Sequence, residues 1–217
     1  MDIKVRCEGG RAAFLLRDVP DAYGAAVRRL GFEPDAEGFA RYFAVESAHL
    51  ARSYATFARY AEEMIVQEAG EHPVPWEDTL TTIVRLMAEY AIRWWLVGSV
   101  ALAVRGLAVH PGDSNLVLDE EGSAVLAELL RDAQVEPLRP MTTWSATVDR
   151  RAFLGARVEW TGGVAESHPW GVAGPWETIM WNGSHLRVPP LAHQVVAAEW
   201  QNNTERAALI ARVLRTC

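Results

Sequence analysis

The segment between Trp94 and Leu118 constrains the fold of this 217-residue chain more than any other part of the sequence. An apolar run is followed by a Gly-Ser pair, a short apolar helical segment and a second apolar run, at 94–97, 98–99, 100–105 and 116–118. This order predicts a strand, a tight turn, a helix and a neighbouring strand. Because side chains alternate between the two faces of a strand, Asp113 and Asn115 are expected to share one face.

The composition is that of an ordinary globular protein, with 50% hydrophobic and 23% charged residues. No apolar run reaches the roughly 18 residues that a membrane span needs, so we expect no membrane association. The formal net charge is −7 and basic residues form only pairs, so we expect no nucleic-acid partner. The first residues do not resemble a secretory signal, and Cys7 and Cys217 form no disulfide framework, which favours a cytoplasmic protein.

Two parts of the chain differ in their tryptophan content. All nine tryptophans lie between Trp76 and Trp200, and a Pro-Val-Pro segment interrupts the chain just before them. We therefore predict a small α+β N-terminal domain or extension over residues 1–75 and a second domain over residues 76–217. In the first part, two hairpins flank a short helix, and a long helix begins at a Ser47 cap.

The second part alternates predicted helices and strands. Helices are expected at about 76–90, 100–105, 123–132, 191–201 and 204–214, and strands at 94–97, 116–118, 144–148, 151–153, 156–160 and 178–181. Asp119, Glu120 and Glu121 are expected to form a solvated turn before the helix that starts at Ser123. This mixture of elements predicts an α+β fold.

Three features of the second part predict a phosphate and metal site. The backbone amides and hydroxyl of Gly98-Ser99 would face an anion where the helix begins. Asp113 and Asn115 lie on the next strand, and Glu159 lies within another strand-like run. Because Mg²⁺ prefers oxygen ligands and substrate phosphates, carboxylates beside a phosphate-binding turn suit Mg²⁺ and a nucleoside triphosphate.

This order resembles the core of the nucleotidyltransferase superfamily. Its parts are a strand, a Gly-Ser pair, a helix, an Asp-x-Asp position on the next strand and a carboxylate on a later strand. The segment from Trp94 to about Val164 is similar to small bacterial members related to aminoglycoside and lincosamide nucleotidyltransferases, and to toxins of that fold. The resemblance implies a nucleotidyltransferase-like mixed sheet flanked by helices, preceded here by the small α+β N-terminal part.

The resemblance also implies roles for individual residues. Gly98 and Ser99 would contact the triphosphate, Asp113 and Asn115 would hold the metal ion, and Glu159 would activate the acceptor hydroxyl. The implied cofactors are Mg²⁺ and a nucleoside triphosphate if the site is active.

The sequence departs from the family pattern at two neighbouring positions. Asn115 replaces the second aspartate, and Ser114 replaces an apolar residue. An amide oxygen can ligate a cation but carries no charge, so the site is expected to bind Mg²⁺ more weakly than a two-aspartate site does.

Each candidate residue also has a simpler interpretation. These interpretations are a serine-capped turn at Gly98-Ser99, an Asx turn at Asp113 and Asn115, and an edge-strand carboxylate at Glu159 that pairs with Arg157 or Arg151.

Aromatic residues and one histidine are further candidates, as the wall of a ligand pocket: His110, Trp95, Trp160, Trp170 and Trp176. The alternatives are a loop histidine and tryptophans that fill core or edge positions. The aromatic face of the long helix is expected to pack between the two parts, with a homodimer surface as the second interpretation: Tyr54, Phe57, Tyr60 and Met64.

Three functions are compatible with these features. The first is transfer of a nucleoside monophosphate from a triphosphate to a hydroxyl group of a small molecule. The second is a degenerate scaffold repurposed for metal-independent small-molecule binding or catalysis in a biosynthetic pathway, which fits Asn115 better. The third is a non-catalytic partner of another protein.

Overall fold

The structure is a computed structural model that describes residues 1–140, 147–164 and 174–215. Three sheets and seven α-helices lie within these ranges. None of the helices in the described ranges combines the length and the apolar character needed to cross a bilayer.

Two hairpins form an antiparallel N-terminal sheet. The first hairpin turns at Gly9 and Gly10, whose φ angles of 56° and 77° lie in the left-handed region that favours glycine. The sheet has the strand order β1-β2-β4-β3, with β1 at Asp2–Glu8, β2 at Arg11–Arg17, β3 at Glu33–Asp35 and β4 at Gly38–Ala44.

Two helices complete the N-terminal part. A short 3₁₀ turn at Asp21–Tyr23 leads into α1 (Gly24–Arg29), and the long α2 spans Leu50–Ala69. Their apolar side chains share one core with β2, in which the rings of Phe14 and Phe57 stack 5.4 Å apart.

This core continues into the second part of the chain. Val135 and Phe153 belong to the same apolar cluster, and the Tyr60 ring lies 5.1 Å from the Phe153 ring. The aromatic face of α2 therefore packs between the two parts, as its spacing predicts.

A five-stranded mixed sheet dominates the second part, with strand order β5-β6-β9-β8-β7. Its strands are β5 (Trp94–Val97), β6 (Asp113–Leu118), β7 (Arg139–Pro140), β8 (Val148–Phe153) and β9 (Arg157–Gly162). β6 and β9 run parallel, and the other neighbouring pairs are antiparallel.

Three helices cover one face of this sheet: α3 (Trp76–Met87), α4 (Gly98–Ala103) and α5 (Glu120–Leu129). The apolar side chains of this face, including Leu116, Val158 and Trp160, are buried against them. Because side chains alternate along a strand, the polar residues between these apolar ones lie on the opposite face of the sheet.

A ribbon and a helical hairpin complete the fold. The ribbon pairs β10 (Glu177–Trp181) with β11 (Ser184–Val188), and Leu186 and Val188 join the main core. The final helices are α6 (Leu191–Trp200) and α7 (Thr204–Leu214).

Several element boundaries differ from those predicted. α2 begins at Leu50 after His49, which has a left-handed φ of 63° and forms no side-chain cap, so the predicted Ser47 cap is wrong. α5 begins at Glu120 because Asp119 accepts a hydrogen bond from the Gly122 amide at 2.8 Å. The strand predicted at 144–148 lies largely outside the described residues.

Candidate functional site

The parallel pair of β6 and β9 brings the predicted site residues together. Asn115 lies directly opposite Glu159, and Asp113 lies directly opposite Arg157. Because side chains two residues apart share a face, all four project from the same side of the sheet. Both Asp113 and Asn115 lie inside β6, so the alternative of an Asx turn is wrong.

Asp113, Asn115 and Glu159 line a cavity of about 320 Å³ on this face, opposite the main core. All five residues that the resemblance implies line it, namely Gly98, Ser99, Asp113, Asn115 and Glu159. Asp149 and Thr161 add polar groups from the neighbouring strands. A volume near 300 Å³ is at the lower end of the range that small-molecule sites occupy.

The α6–α7 hairpin forms another wall of the cavity. Gln194, Gln201 and Arg206 line it with polar groups. No hydrogen bond or ion pair of the Arg206 guanidinium exists within the described residues, whereas its backbone amide donates to the Asn203 side chain. Arg206 therefore brings to the cavity a positive charge that no described side chain neutralises.

The Gly-Ser turn lies where β5 passes into α4. Gly98 has a φ of 71°, and a Cβ atom there would lie 3.3 Å from Nδ2 of Asn115. This conformation favours glycine, and an added Cβ atom would also press on the Asn115 amide. Ser99 is buried, and no side chain caps the first turn of α4, so the alternative of a serine cap is wrong.

Arg157 occupies the space between the carboxylates of the cavity. Its Nη2 donates to Oδ2 of Asp113 at 3.2 Å. Its Nε lies 3.0 Å from Oε1 of Glu159, which is close enough for an ion pair although the N–H is not aligned for a hydrogen bond. Its Nη1 donates to Oε2 of Glu68 at 3.1 Å. One guanidinium thus contacts three carboxylates.

Arg151 provides a second positive charge to the same carboxylates. It lies 2.8 Å from Oε1 of Glu159 and donates to Glu136 at 2.6 Å. Glu136 also accepts a hydrogen bond from Arg41 of the N-terminal sheet, at 2.8 Å. The ion pairs of Glu159 with Arg157 and Arg151, which belong to its simpler interpretation, are therefore both present. The edge-strand position of that interpretation is wrong, because β9 lies between β6 and β8.

Ion pairs around the cavity form one continuous network. Its described members are equal numbers of carboxylates and arginines, so their formal charges cancel: Glu68, Asp113, Glu136, Asp149 and Glu159 with Arg29, Arg41, Arg139, Arg151 and Arg157. A guanidinium is charged at every physiological pH, so this balance does not depend on a bound ion.

Burial raises the pKa of Asp113, and the neighbouring charge of Glu159 raises it further, while Arg157 acts in the opposite direction. Burial also lowers the pKa of Arg157, but the charges of Glu159 and Asp113 outweigh this effect and raise it overall. Arg157 therefore stays protonated while it contacts the carboxylates.

The donor set does not fit a divalent cation. Oδ1 of Asp113 accepts a hydrogen bond from the Asn115 amide at 2.7 Å, and Oδ2 accepts from Arg157. A second cation beside Asp113 would be repelled by the Arg157 charge. Within the described ranges, no three histidine, cysteine or carboxylate side chains are grouped to hold a metal ion.

None of the remaining predicted pocket residues that the structure describes belongs to the cavity lining. Trp160 alternates with Glu159 and is buried in the main core, and His110 is exposed on a loop. Trp95 is buried in a small apolar cluster with the cavity-lining residues Val117 and Val164, and its ring lies 5.0 Å from that of Trp176. Trp170 lies outside the described residues.

Several residues at the site were not predicted from the sequence. Asp149 on β8 and Thr161 on β9 lie two residues from Arg151 and Glu159, so the two-residue period of a strand could have predicted that they share this face. Glu68 and Arg206 come from distant helices, and no local pattern indicated that they approach the sheet.

Comparison with known proteins supports the fold. No protein-family profile matches the sequence, and no curated protein is significantly similar to it. A Thermotoga maritima protein named as a candidate nucleotidyltransferase is similar in structure, with a TM-score of 0.50 and 18% identity over 64% of this chain and 92% of that protein.

A second solved structure is ANT(2″)-Ia in complex with adenylyl-2″-tobramycin, with a TM-score of 0.44 and 12% identity over 63% of this chain and 88% of that one. Because the Thermotoga maritima protein is only 18% identical in sequence, its structural similarity shows the fold alone. The predicted nucleotidyltransferase-like α+β fold is thus confirmed.

Proposed function

We propose that this protein binds a nucleotide in the cavity beside Gly98 and Ser99 without the help of a divalent cation. The observation that carries the proposal is the position of Arg157, whose guanidinium contacts both Asp113 and Glu159. On this proposal, the chain is a degenerate nucleotidyltransferase scaffold. The sequence indicates this through Asn115, which replaces the second aspartate of the Asp-x-Asp pattern.

The charge balance of the site supports this proposal. A cavity with uncompensated carboxylates repels phosphate groups unless a metal ion neutralises them. Here Arg157 and Arg151 already neutralise Asp113 and Glu159. Among the described residues, the Arg206 guanidinium on the opposite wall has no ion-pair partner, so its charge can attract a phosphate group.

The walls of the cavity also suit a nucleotide. Val97, Val117 and Val164 supply apolar surface for a flat base. Ser99, Thr161 and Gln201 supply hydroxyl and amide groups that can hydrogen-bond a sugar or a base edge. Such a mixture of apolar walls with few polar groups is typical of small-molecule sites.

Isothermal calorimetry with ATP, GTP, CTP and UTP tests the proposal. We expect at least one nucleotide to bind with similar affinity in excess EDTA and in Mg²⁺. Arg206→Gln should weaken this binding, whereas Arg215→Gln, a control at the exposed end of α7, should leave it unchanged. Absence of binding by all four nucleotides in both conditions would refute the proposal.

The second candidate function is metal-dependent transfer of a nucleoside monophosphate to a small-molecule hydroxyl. It is favoured by the convergence of Ser99, Asp113 and Glu159 on one cavity. This function requires nucleotide binding that depends on Mg²⁺ and is lost in Asp113→Ala. If only the Asn115→Asp variant binds nucleotide with Mg²⁺, the natural chain has abandoned this activity.

A further inference from the structure

The end of α2 reaches the candidate site from the N-terminal part of the chain. Glu68, in the last turn of this helix, has a side chain that is 16% exposed and accepts a hydrogen bond from Arg157. Arg29 of α1 contacts the other carboxylate oxygen of Glu68 at 2.7 Å. Glu68 therefore joins the N-terminal helices to the charge at the centre of the site.

The neighbouring residue of α2 fixes the chain that leads into β9. Gln67 donates a hydrogen bond to the carbonyl of Gly155 at 2.7 Å. From the other side, Thr79 of α3 donates to the Leu154 carbonyl at 2.8 Å and accepts from the Ala156 amide at 3.1 Å. The turn before Arg157 is thus held by side chains of two helices.

We propose that Glu68 is a positioning residue for Arg157, and that the N-terminal part therefore completes the binding site of the second part. This inference rests on the proposed function, because it concerns the arginine that replaces a metal ion there. Residues 1–75 have no cavity-lining side chain among those described, so their contribution passes through Arg157.

The geometry of the guanidinium explains why a third carboxylate is needed. Arg157 presents Nη2 to Asp113 and Nε to Glu159, while Nη1 points to Glu68. The side chain of Arg157 is only 12% exposed, so water cannot readily replace Glu68. An uncharged acceptor at this position would hold Nη1 more weakly, so the guanidinium would turn Nη1 toward another oxygen more readily, which would disturb its contacts with the cavity carboxylates.

Nitrogen-detected NMR of arginine side chains tests the positioning directly. Each Nη atom of Arg157 has its own carboxylate acceptor, so rotation of the guanidinium about the Nε–Cζ bond is expected to be slow, with two resolved Nη signals. The Arg157→Lys variant assigns these signals. In Glu68→Gln, which keeps the shape of the side chain, we expect rotation at least about tenfold faster, with partial recovery in Glu68→Asp.

Glu62→Gln is the matched control, because Glu62 is exposed on the same helix. It should leave the Arg157 signals unchanged, and far-UV circular dichroism should show that all variants are folded. Unchanged Arg157 rotation in Glu68→Gln would overturn the positioning role.

Nucleotide affinity separates this inference from the proposed function. Glu68→Gln should weaken nucleotide binding about tenfold in EDTA, similar to the loss when a supporting residue is removed from a metal site. Faster rotation in Glu68→Gln together with no nucleotide binding by the natural protein would support the positioning role and refute the proposed function. Faster rotation with undiminished binding would overturn the claim that the N-terminal part completes the site.

Discussion

At the scale of single residues, the alternation of a strand predicted more of this site than any motif did. Asp113, Asn115 and Glu159 line one cavity because β6 and β9 are parallel neighbours and their side chains repeat every two residues. The same rule places Arg157 on the face of Glu159. Sequence alone could not show that the guanidinium would lie between the carboxylates, since this depends on the register of two strands 44 residues apart.

The raised pKa of Asp113 predicts a pH-dependent difference between the natural protein and Asp113→Asn. Folding raises this pKa above its ordinary value of 3.8, chiefly through burial, so the folded state binds the proton more tightly than the unfolded state does. The corresponding stabilisation is complete below pH 3.8 and is lost as the pH rises through the folded pKa.

The Asp113→Asn variant lacks this stabilisation, because its side chain does not bind the proton. The unfolding free energy of the variant minus that of the natural protein should therefore increase with pH, by about 1.4 kcal/mol for each unit by which the pKa is raised. Urea denaturation of both proteins between acidic and neutral pH measures this difference. A difference that stays flat or decreases with pH would contradict the assignment of a buried, perturbed carboxyl group.

At the scale of elements, strands and helices with strong periodicity were predictable, and their ends were not. β5 and α7 match their predicted bounds, and α6 differs by one residue. β11 was not predicted because Ser184–Val188 is short and mixes polar with apolar residues. The start of α5 was misplaced because Asp119 was interpreted as solvated, whereas its carboxylate caps the helix.

Gly98, at the start of α4, and Gly106, three residues after its end, provide a matched test of the strand-to-helix turn. Gly98 and Gly106 have similar φ angles, 71° and 82°, but a Cβ atom would contact Asn115 only at Gly98. Each substitution to alanine should lower the unfolding free energy by about 1–2 kcal/mol through left-handed backbone strain. Gly98→Ala should cost more, because the Asn115 amide must also move.

Urea denaturation measures both effects, and calorimetry with nucleotide gives a second readout. Gly106→Ala should leave nucleotide affinity unchanged, because Gly106 does not line the cavity. Equal loss of stability in the two variants would show that Asn115 yields to the added methyl group at no cost.

At the scale of the whole molecule, the N-terminal part and the mixed sheet share both an apolar core and an ion-pair network. Phe57 of α2 lies in the cluster that contains Val135 and Phe153, and Arg41 of the N-terminal sheet contacts Glu136. The division near residue 75 stays a prediction, as do a homodimer and a cytoplasmic location. These shared contacts lead us to expect that the chain unfolds in one cooperative step.

The tryptophan distribution makes this cooperativity measurable. All nine tryptophans lie beyond residue 75, so their fluorescence reports only on the second part, whereas far-UV circular dichroism reports on the whole chain. Phe57→Ala should lower the unfolding free energy by about 3–5 kcal/mol, because the ring is buried. Both signals should shift equally. A fluorescence transition that stays at its original denaturant concentration would show that the second part unfolds independently.

The contacts of Arg157 also determine how the site responds to changes in the supply of divalent metal ions. A counterion that belongs to the polypeptide is made with every copy of the chain and cannot be removed by a chelator or captured by a competing metalloprotein. The electrostatic balance between Asp113 and Glu159 is therefore set when the chain folds, and starvation for magnesium or manganese would leave it unaltered.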